Sequence, residues 1–262
     1  MSLLKSIATG KQFSPPRLLI YGPEGIGKSS LAAQTPKPIF IQTEDGLGQI
    51  DCHRFPMAER LEQVMESLQS LASEEHDYQT VVVDSLDWFE RLIWDRVCQD
   101  FGVRNIEKAD GGYGKGFTHA LTYWRMFIDK LKSLQQNKQM LVLLLAHAKV
   151  ERFEDPESSA YDRYSPRLHK HAGALLTEWV DAVLFATRRI RVQREESGFN
   201  RERGVAQAIG KDGGERVLKS VGGPSCVAKN RYSLPAELPL QWPAVMEAIL
   251  ASRQPQPAAA SL

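Results

Sequence analysis

The chain has 262 residues, enough for one large α/β domain or two small ones, and its 42% hydrophobic content is that of a globular protein with a substantial core. Its 33 Lys and Arg against 32 Asp and Glu leave a formal charge of +1, which excludes a global field that recruits nucleic acid or anionic membrane; any polyanion site must be local. Cys52, Cys98 and Cys226 form no metal-type pair, the opening Met1 to Lys5 lacks a signal-peptide core, and the longest apolar run, Met140 to Ala146, is too short to span a bilayer, so a cytoplasmic protein without a membrane partner is expected.

Residues 1–14 read as an N-terminal arm. Arg17 to Tyr21 is an apolar run stopped by Gly22 and Pro23, the pattern of a buried parallel strand feeding a turn. A helix is expected from Ser29 to Gln34, ended by Thr35 and Pro36. Three more apolar runs follow, Pro38 to Thr43, Thr80 to Val83 and Met140 to Ala146, ending at Glu44, Asp84 and His147. Between them, helical spacing appears over Leu61 to Ser73, Leu86 to Phe101 and Thr118 to Gln135. This alternation predicts an α/β fold with a mostly parallel central sheet flanked by helices, and ligands at the carboxyl ends of the strands.

A polar stretch, Lys149 to Pro166, leads to a predicted helix, Arg167 to Trp179, and a strand, Asp181 to Thr187. From about residue 188, strand-like pieces at Arg189 to Val192, Val205 to Ile209 and Arg216 to Lys219 are split by Gly- and charge-rich turns, predicting antiparallel hairpins that extend the sheet edge. The core is thus expected over 15–251, with 252–262 a disordered tail.

The segment Gly22-Pro23-Glu24-Gly25-Ile26-Gly27-Lys28-Ser29 sits between the first strand and the first helix. In this spacing the glycines let backbone N–H groups converge on phosphate, Lys28 reaches the β and γ phosphates, and Ser29 ligates Mg²⁺, with Ser30 next in the helix. The segment reads as the P-loop of an ATP site. Asp84, at a strand end, suits either the Mg²⁺ water shell or a cap on the following helix. Glu44 ends the strand between those two, so in a parallel sheet its carboxylate would stand beside the γ-phosphate and orient or deprotonate water; a solvated turn residue is the alternative, and Asp45 is its neighbour. His147 can sense γ-phosphate at the same edge or serve only structure.

The stretches 102–116, with Arg104, Lys108 and Lys115, and 149–166, with Lys149, Arg152, Phe153, Tyr161, Arg163 and Tyr164, follow the third and fourth strands and should emerge on the active-site side. Basic loops with aromatics suit single-stranded DNA; the acids Glu151, Glu154, Asp155 and Glu157 keep plain solvated loops in view. Lys229 and Arg231, at i and i+2, share one face of a strand and suit either a phosphate clamp or an ordinary basic surface. Cys52, Cys98 and Cys226 read as structural, and His169-Lys-His171 as a helix surface.

The ordered set of P-loop, Glu44, Asp84, His147 and Lys229-Asn-Arg231 resembles the RecA-like core ATPases. Ala146-His147-Ala-Lys149 resembles the Gly-His-Val-Thr-Lys segment of bacterial RadA/Sms, and Lys229-Asn-Arg-Tyr232 its Lys-Asn-Arg-Phe-Gly motif, with Tyr232 and Ser233 replacing Phe and Gly. The stretch His147 to Asp181 is similar to phage-encoded RecA-like ATP-binding proteins, some of which act in single-strand annealing. The resemblance, over about 15–245, implies phosphate binding by Gly22, Gly27 and Lys28, Mg²⁺ at Ser29 and Asp84, water activation by Glu44 and γ-phosphate sensing by His147. It also implies that Lys229 and Arg231 act on a neighbouring subunit's ATP in a ring or filament, and that the protein is phage- or prophage-encoded in a bacterial host. The expected function is a recombination, annealing or repair ATPase on single-stranded DNA. A helicase-like or packaging motor and a nucleotide-dependent scaffold are the rivals, and a small-molecule kinase the least favoured.

Overall fold

The computed structural model describes residues 7, 9, 13–156, 159–196, 202–208 and 214–253. Most of the expected N-terminal arm, nearly all of the expected tail and Ile209 therefore lie outside the described residues.

The first half alternates as expected: β1 (Arg17–Gly22), α1 (Lys28–Ala32), β2 (Pro38–Gln42), a short β3 (His53–Arg54), α2 (Leu61–Ser73), β4 (Thr80–Asp84), α3 (Leu86–Asp100), α4 (Lys115–Asn137) and β5 (Leu141–Phe153). Next come β6 (Tyr161–Pro166), α5 (Lys170–Trp179), β7 (Ala182–Arg188), β8 (Ile190–Glu196), β9 (Glu202–Ala208), β10 (Arg216–Lys219), β11 (Lys229–Asn230), β12 (Glu237–Pro239) and α6 (Trp242–Arg253). The main sheet runs β12-β10-β7-β1-β5-β4-β2-β3. From β7 to β3 every pairing is parallel, with Leu18 beside both Leu143 and Ala182, and Val83 beside both Leu144 and Ile41. Helices cover both faces of these strands, which is why they are continuous apolar runs: Leu18 to Tyr21, Val81 to Val83 and Leu143 to Ala146 are wholly buried.

On one face α2, α3 and α4 bury helically spaced rows, Val64 and Leu68, Phe89 and Ile93, and Trp124, Phe127, Leu131 and Leu134. Phe89 packs on Phe127 at 4.5 Å and meets Trp124 edge-on at 5.2 Å. On the other face Leu31 of α1 packs with Trp242, Val245 and Ile249 of α6. That last helix was not anticipated, although Trp242, Val245 and Ile249 lie at helical spacing and Pro243 suits a first turn.

Three expectations need correction. The strand lying between β1 and β4 in the sheet is β5, not the strand that leads to Glu44; β2 lies beyond β4. Chain order cannot reveal this, because parallel strands joined by helices need not be neighbours. Second, 149–166 is not a flexible loop. β5 runs on past His147 to Phe153 and pairs antiparallel with β6, from Ala148 opposite Pro166 to Phe153 opposite Tyr161. Its charges pair across the ribbon, Arg163 with Glu151 at 3.2 Å, and the Arg163 guanidinium lies 3.8 Å over the Phe153 ring. Third, the antiparallel extension is β10 and β12, built on β7 with Val217 opposite Thr187 and Pro239; β8 and β9 pair with each other in a separate two-stranded sheet.

Candidate nucleotide site

The cradle begins where β1 ends. A Cβ at Gly22 would run into the carbonyl oxygen of Ala186 on β7, so the turn must start with glycine here. Gly27 then takes φ 106°, a left-handed conformation that costs a side-chain-bearing residue dearly, and α1 starts at the next residue. Ile26 is buried beneath the loop, while Pro23, Glu24, Gly25 and Ser30 face solvent.

Lys28 is buried, and its ammonium donates to the carbonyls of Gly22 and Pro23, both at 3.0 Å. Burial lowers its pKa, against the opposing charges of Asp84 and Glu44. The Ser29 hydroxyl donates to Oδ2 of Asp84 at 2.6 Å, joining the cradle to the end of β4. A hydroxyl and a carboxylate converging beside a glycine loop are hard oxygen ligands suited to a small divalent cation next to phosphate. Burial pushes the Asp84 carboxyl up, with the Ser29 bond and the Lys28 charge opposing it. Thr43 locks the turn beyond: its hydroxyl donates to the Ser85 carbonyl at 2.7 Å and accepts from the Ser85 amide at 3.0 Å.

His147 ends the apolar part of β5 opposite Gly22, between cradle and Asp84. Its Nε2 lies 3.7 Å from Oε1 of Glu44, so the loop after β2 brings Glu44 to the site across the end of β4. Burial raises the Glu44 pKa, partly offset by His147. On its other side His147 meets Asp87, which sequence reasoning missed: the His147 amide donates to Oδ1 at 3.0 Å, and Nδ1 lies 3.1 Å from Oδ2. Arg167, also missed, donates to the same Oδ2 from Nε at 3.1 Å and Nη2 at 2.7 Å. Burial would push the Asp87 carboxyl up, but the bonds from His147 and Arg167 overcome it and hold the group well below the usual carboxylate range. The one available signal was an acid in the first turn of a helix that begins at the site edge.

A family model described as an AAA domain matches residues 14–232. The chain belongs to that family. Membership in the AAA domain family makes the chain a P-loop protein of an ATPase family, in keeping with the Gly22 to Ser29 cradle. A curated relative, the SPbeta prophage-derived uncharacterized protein YorG of Bacillus subtilis (strain 168), is 26% identical over 172 residues, 64% of this chain. The chain spans about half of that relative, 49% of its length. Among solved structures, the crystal structure of the RadB recombinase is similar at a TM-score of 0.47 and 13% identity, with 88% of this chain and 90% of that chain covered.

Not every expected residue gathers at this site of the AAA domain. β11 pairs with the start of β7, Lys229 opposite Val183 and level with Leu19, so Lys229 and Arg231 lie toward the amino-terminal edge of the sheet, away from their own cradle. The Lys229 ammonium donates to the carbonyls of Thr177, Glu178 and Val180 at 2.6 to 2.7 Å, closing the end of α5. Arg231 is held more loosely, 3.5 Å from Asp181 and 3.4 Å from the Glu178 carbonyl, with half its side chain exposed. In 102–116 a short 3₁₀ segment, Ile106–Gly111, is followed by Tyr113, fully exposed at φ 55° among glycines. His169 is not a helix-surface residue: it precedes the first turn of α5 and stacks on Phe117 at 4.1 Å. Among the described residues no helix is long and apolar enough to cross a membrane.

Proposed function

We propose that this AAA domain binds and hydrolyses ATP with Mg²⁺ and acts on single-stranded DNA in recombination, annealing or repair. The observation that carries the nucleotide half is the Ser29 to Asp84 bond of 2.6 Å beside the buried Lys28, with His147 and Glu44 at the same edge. Gly22 to Ser30 would hold the phosphates, and Lys28 would exchange the Gly22 and Pro23 carbonyls for phosphate oxygens. Ser29 and Asp84 would hold a Mg²⁺, which would supply neutralisation of phosphate charge. Glu44 would orient and deprotonate the attacking water, and His147 would report the terminal phosphate to the ribbon that starts at the next residue.

Two features support the DNA half: the exposed Tyr113 in its glycine-rich, basic stretch, and the β5–β6 ribbon, which springs from the site edge and carries Arg163 and Tyr161. Arg231, exposed and loosely held far from its own cradle, suits completion of a neighbour's site in a ring or filament. The prophage-derived relative supports a phage or prophage origin in a bacterial host.

ATP hydrolysis measured at low salt with and without single-stranded DNA tests this reading. Stimulation by DNA and loss of nucleotide binding in Lys28→Ala are expected. Mixed Glu44→Gln and Arg231→Ala proteins should regain activity, since each supplies the half-site that the other lacks. A normal ATPase indifferent to DNA at low salt sinks the DNA half.

A further inference from the structure

Arg167 follows Pro166, the last residue of β6, and its guanidinium is divided between two carboxylates. Nε and Nη2 hold the buried Asp87, whereas Nη1 reaches Oε1 of Glu24 in the cradle at 3.4 Å. The two contacts differ in kind. Asp87 is desolvated and firmly ionised, so that pair is short and fixed. Glu24 is 74% exposed, and an ion pair at that distance in water contributes little. A phosphate oxyanion is a stronger partner for a guanidinium than a solvated carboxylate.

We propose that Arg167 reads the terminal phosphate of a nucleotide within its own subunit, exchanging Glu24 for a phosphate oxygen at Nη1 while Nε and Nη2 stay on Asp87. The assignment rests on the nucleotide reading of the cradle. Asp87 is the shared anchor: it accepts from the His147 amide and faces Nδ1 of the ring, which orients the imidazole with Nε2 turned to Glu44. The Arg167 amide also donates to the His147 carbonyl at 2.8 Å, so the arginine is tied to β5 through backbone as well as side chain. A change of partner at Nη1 is therefore passed through Asp87 to His147, which faces Glu44 at 3.7 Å and stands at the root of the ribbon. A nucleoside diphosphate lacks the group that would draw Nη1 away, and leaves Arg167 on Glu24.

The test is titration of wild type, Arg167→Ala and Arg167→Lys with ADP and with a non-hydrolysable ATP analogue, each with Mg²⁺. Arg167→Ala should bind ADP within about twofold of wild type and the analogue at least about tenfold more weakly. Arg167→Lys should recover little, because a compact ammonium lacks the planar fork that holds Asp87 through two donors while a third nitrogen points at the phosphate. Equal weakening for both nucleotides, or none for either, overturns the assignment. A wild-type protein that binds neither nucleotide overturns instead the reading of the cradle. Should Arg167→Ala fail to fold, Glu24→Gln asks the same question: release of Nη1 should tighten the analogue roughly two- to threefold relative to ADP, and an unchanged ratio refutes the exchange.

Discussion

Glu90 lies one turn after Asp87 on α3, buried, and both its oxygens accept from the His169 amide at 2.9 and 3.1 Å, tying α3 to the start of α5. Asp87 has a guanidinium to keep it ionised. Glu90 has only an amide at hand, and Lys149, the cation that acts on it, donates instead to the Leu168 carbonyl. Burial accordingly raises its pKa from 4.5 to about 7. The folded protein thus keeps a proton between those values that the unfolded chain releases. The stability this contributes is fully present below pH 4.5, falls as pH rises to about 7, and is level above. Roughly 2.5 pH units at about 1.4 kcal/mol each give about 3 kcal/mol. Glu90→Gln keeps an oxygen for the His169 amide and removes the titration. Urea unfolding of both proteins from pH 4.5 to 8 should show the variant gaining on wild type by about 3 kcal/mol across that window, at unchanged m-value, with the gain constant above pH 7. A difference that is flat with pH, or that shrinks as pH rises, refutes the reasoning.

Asp84→Asn should weaken binding of an ATP analogue about tenfold or more in Mg²⁺ but not weaken ADP binding in a chelator, because it removes a charged oxygen ligand and leaves the cradle intact; nucleotide titrations with and without metal check this. Lys229→Ala should lower stability by about 1 to 2 kcal/mol, as three carbonyls at the end of α5 lose their donor, and thermal melting measures it. A melt identical to wild type would show that the lysine does not hold the helix end.

The P-loop and the parallel strands were legible in the sequence because their signals are local. Eight residues carry the cradle, and strands buried on both faces must be apolar throughout. Lateral order was not legible: nothing in β5 says that it inserts between β1 and β4. The ribbon reads as loop in the sequence because its strands face solvent, where charged residues alternate without an apolar face to betray them. Arg167 and Asp87, eighty positions apart, meet only because β5, β6 and α3 converge at one edge, so neither could be found from spacing. Lys229 opens the two-residue strand β11 and Arg231 lies just beyond it, so the expected shared strand face does not form; what the two touch was not readable either: one closes its own helix and the other stays loosely held.

Because β5 is a single unbroken strand, its buried half, His147 and one arm of the ribbon form one lever with no hinge residue between load and tip. Phe153 lies six residues beyond His147, about 20 Å at strand rise, so a tilt of about 10° at the root would sweep the tip through roughly 3.5 Å. Deep packing clamps the end from Leu141 to His147, and the far end is only partly covered. A sub-ångström adjustment beside the cradle is therefore amplified by length alone.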